Sequence, residues 1–136
     1  MPGPRRRGRI TALQALYEAD AVGHGIEGII GRAKEEGALP ESSLAFATEL
    51  VNGVTSNLER IDEIVHSHAP SWPVNQLSII DRNILRIAIY ELMWLKKTPA
   101  KAAVNEAVEM AKAFGSDSSP RFVNGVLGAL MTEISA

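Results

Sequence analysis

The chain has 136 residues, 46% of them hydrophobic and 5% aromatic, with no cysteine. That length suits one domain with a substantial core and not two ordinary ones, and the missing cysteine excludes disulfides, thiolate metal sites and a cysteine nucleophile. The net charge of −2 is unevenly spread: Arg5, Arg6, Arg7 and Arg9 precede the first acid, Glu18, leaving ten basic and sixteen acidic residues, −6, on the remainder. A basic arm on an acidic body is compatible with binding RNA or DNA, and equally with a solubilising or disordered terminus. No long apolar run follows the arginines, so no secretory leader or membrane span is expected; a soluble, cytoplasmic protein is.

Helical periodicity dominates from there. Ile10, Leu13, Leu16 and Tyr17 form an apolar stripe that predicts a helix over about 9–21, broken by Gly23 and Gly25. Ile26, Ile29, Ile30 and Ala33 predict a shorter helix ending before Gly37. Pro40-Glu41-Ser42 opens a long segment carrying Leu44, Ala47, Leu50, Val51, Val54, Leu58, Ile61, Ile64 and Val65, in which a bend is expected at Gly53 and the following Thr55-Ser56-Asn57, with Ser56 or Asn57 recapping the second piece. Pro70-Ser71-Trp72-Pro73 is a breaker. Ser78 then caps a helix to about Leu95, with Asp81 three residues on as in a capping box; its broad apolar surface marks it as the central helix. Thr98-Pro99 introduces a helix over 102–114. Phe114-Gly115 should close it with Gly in a left-handed cap, and Ser119-Pro120 should open a last helix to about Glu133. No alternating pattern predicts a strand. The chain is expected to be all-α.

Catalytic motifs are lacking. His66 and His68 are two apart on a helix and cannot share a metal, and there is no phosphate loop, nucleophile elbow or zinc spacing. Glu59, Asp62 and Glu63 read as a solvated helix face. Neither catalysis nor a cofactor is expected.

Four strings in order carry a resemblance. They are Arg5-Arg6-Arg7-Gly8-Arg9 with Ala12-Leu13-Gln14-Ala15-Leu16-Tyr17; Leu77 through Leu92; Ala103-Val104-Asn105-Glu106-Ala107; and Arg121-Phe122-Val123-Asn124-Gly125-Val126-Leu127. Together they span almost the whole chain and resemble the NusB family of bacterial transcription antitermination factors. The resemblance implies a single all-α domain of six or seven helices over residues 9–134, arranged as two perpendicular three-helix bundles, behind a flexible basic arm over 1–8. It implies an adaptor that binds boxA RNA of nascent rRNA transcripts together with the small-subunit ribosomal protein NusE and joins an antitermination complex on RNA polymerase. A NusB-like domain also fronts certain rRNA cytosine methyltransferases, but these 136 residues hold no methyl-donor-binding domain, so that activity is not expected. A homodimer that masks the RNA face is the alternative.

The same resemblance implies two surfaces. The RNA surface would comprise Arg5, Arg6, Arg7 and Arg9 of the arm with Ser116, Asp117, Ser118, Arg121 and Phe122 at the turn before the last helix. Arginines suit phosphates and bases, a helix N-terminus offers N–H groups to an anion, and an aromatic gives an unpaired base a platform. Taken by itself Phe122 reads first as a core residue, since Val123, Val126 and Leu127 adjoin it; the resemblance turns it into a partly exposed stacking residue. Two positions depart from the family pattern: Ser118, where many members carry Asp, and Pro120, in place of a polar residue. The partner surface would comprise Tyr17, Asp81, Ile84 and Arg86. Against that, Tyr17 could close the core, Asp81 could only cap its helix and Arg86 could be an internal ion-pair partner. Asn105 and Asn124 are expected to tie helix ends together through their amides.

Overall fold

In a computed structural model, which describes residues 3–135, the apolar stripes become seven helices: α1 (Pro4–Val22), α2 (Ile26–Glu36), α3 (Glu41–Ser56), α4 (Leu58–His68), α5 (Ile79–Tyr90), α6 (Ala100–Phe114) and α7 (Ser119–Ser135). A 3-10 turn at Val74–Gln76 leads into α5, and a π turn at Glu91–Leu95 prolongs it. No strand occurs among the described residues. Helices α1, α2 and α3 pack on one another, α6 and α4 pack on α7, and α5 touches α1, α3, α4, α6 and α7. The core is aliphatic, as the low aromatic content requires: Leu13, Leu50, Ile61, Ile84, Leu85, Ile87, Ile89 and Leu127 are fully buried. Every residue from Asn83 to Ile89 is buried, because α5 has neighbours all round.

Helix boundaries follow local chemistry, with three departures from expectation. Gly23 and Gly37 close α1 and α2 at φ 80° and 63°, the left-handed caps that glycine permits. Helix α1, however, begins at Pro4 rather than near residue 9. Pro suits the first helical position, where its missing N–H costs nothing, so residues 4–8 of the expected arm are the first turns of a helix. Residues 1 and 2 of that arm lie outside the described residues. The α3–α4 break falls at Asn57, the last residue of the stretch where a bend is expected, and Gly53 at its other end stays helical. Gly53 sits inside α3 because the Tyr90 ring packs on it, where a Cβ would stand 2.0 Å from Tyr90 Cζ. Nor does Asn57 cap α4 with its side chain; Nδ2 donates back to the Gly53 carbonyl at 2.8 Å. Ser78 does cap α5, its Oγ accepting from the Asp81 N–H at 3.0 Å. The reciprocal half of a capping box is missing, and Asp81 Oδ1 is buried without a partner.

Polar groups inside the fold are tied into two networks. Asp20 of α1 accepts from Arg82 Nε and Nη2 (2.8 and 2.6 Å), Asn83 Nδ2 (2.9 Å) and Arg86 Nη1 (3.0 Å), while Arg86 also grips Asp62 of α4 with two bonds of 2.8 and 2.9 Å. The Arg82 hydrogen bonds hold the Asp20 carboxyl down at about 2. The second network joins the start of α1 to the π turn and α6.

Candidate nucleic-acid interface

Because residues 4–9 are helical, the four arginines fan out around α1 instead of trailing as one charged strand. Arg5 and Arg9, four apart, share a face and lie over the Phe46 ring at 4.5 and 5.2 Å. Arg5 Nη1 also donates to Thr98 Oγ1 at 3.0 Å. Arg6 points to α6, where Nε and Nη2 donate to the two carboxylate oxygens of Glu106 at 2.9 and 2.5 Å. Arg7 Nη2 reaches the Ala38 carbonyl at 3.3 Å. Four cations on the first turns of a helix oppose its dipole, and the acids at Glu106 and Glu91 offset that. The Arg6 hydrogen bonds pull the Glu106 carboxyl below the usual carboxylate range.

Arg9 departs from the expected role. Its side chain is buried, and Nε and Nη2 each donate to Glu91 at 2.8 Å in a two-point pair closed off by Thr98. A guanidinium so enclosed holds the fold and does not offer itself to phosphate. The π turn is what presents Glu91: the Lys96 N–H bonds the Glu91 carbonyl five residues back at 2.9 Å, and the widened turn places the carboxylate against α1.

The second half of the candidate surface is the α6–α7 turn. Gly115 closes α6 in an extended conformation (φ −92°, ψ −168°), not the left-handed cap expected. Its requirement is space, since a Cβ there would lie 2.4 Å from Ser119 Oγ. That hydroxyl accepts from the Ser116 N–H at 2.9 Å, so Ser119 braces the turn before it rather than the helix after it. Ser116, Asp117 and Ser118 are left exposed, with Arg121 exposed beside them. Phe122 is half-buried: it packs on the core edge and also lines a cleft of about 540 Å³ with Arg121, Ser118, Asp81, Ser78 and Trp72. The core and surface readings of Phe122 are therefore both physically present in one side chain.

The residues expected to face a protein partner separate sharply. Tyr17 is exposed and lines an apolar groove with Leu13, Val22, Ile80 and Phe114. Asp81 opens onto the Phe122 cleft and not onto that groove. Ile84 has no exposed surface, so it cannot touch a partner. Arg86 is buried between Asp20 and Asp62, the internal ion-pair role. Asn105 and Asn124 are exposed, and neither side chain makes a hydrogen bond among the described residues to tie helix ends.

The model of the NusB family matches residues 6–132, which takes in the α1 arginines, the central helix and the α6–α7 turn alike. The chain belongs to the NusB family. The transcription antitermination protein NusB of Dehalococcoides mccartyi (strain CBDB1) is 45% identical over 130 residues, covering 96% of this chain and 91% of the relative. Among solved structures, NusB of T. maritima superposes with a TM-score of 0.88 at 34% identity, covering 98% of this chain and 94% of that one. A chain in the crystal structure of antitermination factors NusB and NusE in complex with dsRNA gives 0.86 at 27% identity, covering 98% and 99%.

Within this NusB-family surface, Glu91, Glu106 and Trp72 are functional candidates that sequence alone does not single out. Glu106 lies in one of the family-like strings, but nothing in its spacing says that it meets Arg6, a hundred residues away. Glu91 follows a buried run on a helix whose continuation as a π turn has no sequence mark. Trp72 could have been noticed as an aromatic in a proline-bounded loop; it is 60% exposed at the rim of the Phe122 cleft.

Proposed function

We propose that this chain is a non-enzymatic, RNA-binding transcription antitermination factor. In this reading it binds boxA RNA of nascent rRNA transcripts together with ribosomal protein NusE in the cytoplasm, and joins an antitermination complex on RNA polymerase. The observation that carries it is the half-buried Phe122 beside the exposed Arg121 and the open Ser116–Ser118 turn, in a chain that also displays Arg5, Arg6 and Arg7. Exposed guanidinium groups can hold phosphates, and the Phe122 ring can present one face to an unpaired base. The likeness to a structure of NusB with NusE and dsRNA supports both partners. No described helix is long and apolar enough to cross a membrane.

The groove around Tyr17 supports a protein partner. Tyr17, Val22 and Phe114 are each at least 40% exposed and adjoin one another, an apolar grouping that water leaves unsatisfied. NusE is the occupant in this reading, with Tyr17 as its contact and Asp81 at the edge of the neighbouring cleft; a second copy of the chain is the alternative. Titrating a labelled boxA RNA into the protein with and without NusE tests the adaptor mechanism, which expects tighter binding in the presence of NusE. Equal affinity in both would remove that mechanism. Sizing the free protein decides between monomer and homodimer.

A further inference from the structure

The basic segment and the Val104-Asn105-Glu106-Ala107 string are separate in sequence, yet they meet in the fold. Glu106 receives two hydrogen bonds from Arg6 and lies 3.5 Å from Arg9 Nη1, while Arg9 is held from the other side by Glu91. The pair is graded towards solvent: the Arg6 side chain is 46% exposed and that of Glu106 only 18%. Arg6 spends Nε and Nη2 on the carboxylate, and its Nη1 has no protein partner among the described residues. A guanidinium has five N–H donors in a rigid fork, so one edge can be clamped while the other receives an anion.

Resting on the RNA reading above, we propose that Glu106 is a positioning residue for RNA: it clamps the inner edge of Arg6 so that the outer edge is already set to receive a backbone phosphate. An unclamped arginine would have to give up its side-chain freedom on binding, which weakens association. An acid next to a phosphate contact ordinarily repels, but here Arg6 covers the carboxylate towards solvent and the buried Arg9 offsets its charge from within.

The test uses a fluorescently labelled single-stranded boxA RNA and the full chain with Glu106→Gln, Arg6→Ala, the double variant and Arg6→Lys. Glu106→Gln is expected to weaken RNA binding about twofold to fivefold, the range of a surface-pair contribution. The double variant should bind no more weakly than Arg6→Ala alone, because Glu106 acts through Arg6. The melting temperature should stay close to the parent's, since Glu91 still holds Arg9. Arg6→Lys keeps the charge without the two-point clamp and should weaken binding while leaving the salt dependence unchanged. Glu106→Gln binding as tightly as the parent, or tighter, overturns the inference, as does a loss that adds in full to that of Arg6→Ala. A parent chain that does not bind this RNA overturns the RNA reading itself, and the inference with it.

Discussion

Phe122 shows how one side chain can serve the core and the surface together. It packs against the edge of the aliphatic core and also lines the cleft. Truncation should therefore register in two measurements. Phe122→Ala is expected to lose about 1–3 kcal/mol of RNA binding through stacking, with the slope against salt almost unchanged because no phosphate contact is removed. In urea unfolding it should lose less than the roughly 3–5 kcal/mol of a fully buried Phe→Ala. A full core-sized loss of stability, with RNA binding normal, would return Phe122 to the interior alone. The residue type and its neighbours are readable in the sequence; the half-burial is not, because it depends on which segments the fold brings around the ring.

At the scale of the element, α1 converts a run of arginines into groups with different duties. Its early start at Pro4 directs Arg5, Arg6 and Arg7 to the surface and Arg9 to the interior. Each phosphate neutralised on single-stranded RNA contributes about −0.7 to the log–log salt slope. The segment should accordingly contribute about −2, from three arginines, rather than the roughly −3 that four would give. Replacing Arg5, Arg6 and Arg7 by Ala should flatten the measured slope by up to that amount with little change in stability. Arg9→Ala should do the reverse. It strands the buried Glu91 and is expected to cost about 3–5 kcal/mol of folding free energy, while the slope of the remaining folded protein holds. A flattened slope with parental stability in Arg9→Ala would show that Arg9 meets phosphate after all.

Across the whole molecule, α1, α4 and α5 are locked by Asp20, Arg82, Asn83, Arg86 and Asp62. Asp20 is held at about 2 against an ordinary 3.8. A carboxyl depressed on folding stabilises the native state fully above its unfolded value and loses that contribution as pH falls through its folded value. Thermal unfolding should thus show stability from this site that is intact above about pH 4 and lost towards pH 2. In Asp20→Asn the parent-minus-variant difference should shrink over that window; a difference constant from pH 5 to pH 2 would place the titrating group elsewhere.

What the sequence determined by itself was the all-α class, the breaks at Gly23, Gly37 and Pro70–Pro73, the Ser78 cap and the centrality of α5. These depend on periodicity and on residues acting within one or two turns of themselves, where propensity and capping are local forces. What only the tertiary structure decided was which polar residues are spent internally. Arg9 looks like a surface cation and Arg86 is open to either a surface or an internal role, yet Glu91, Asp20 and Asp62, from 24 to 82 positions away, draw both inside. Gly53 reads as a bend and proves to be a seat for the Tyr90 ring. Ion pairing and close packing act between segments that the fold alone brings together, so a charge or a glycine acquires its duty only once its neighbour across the interface is known.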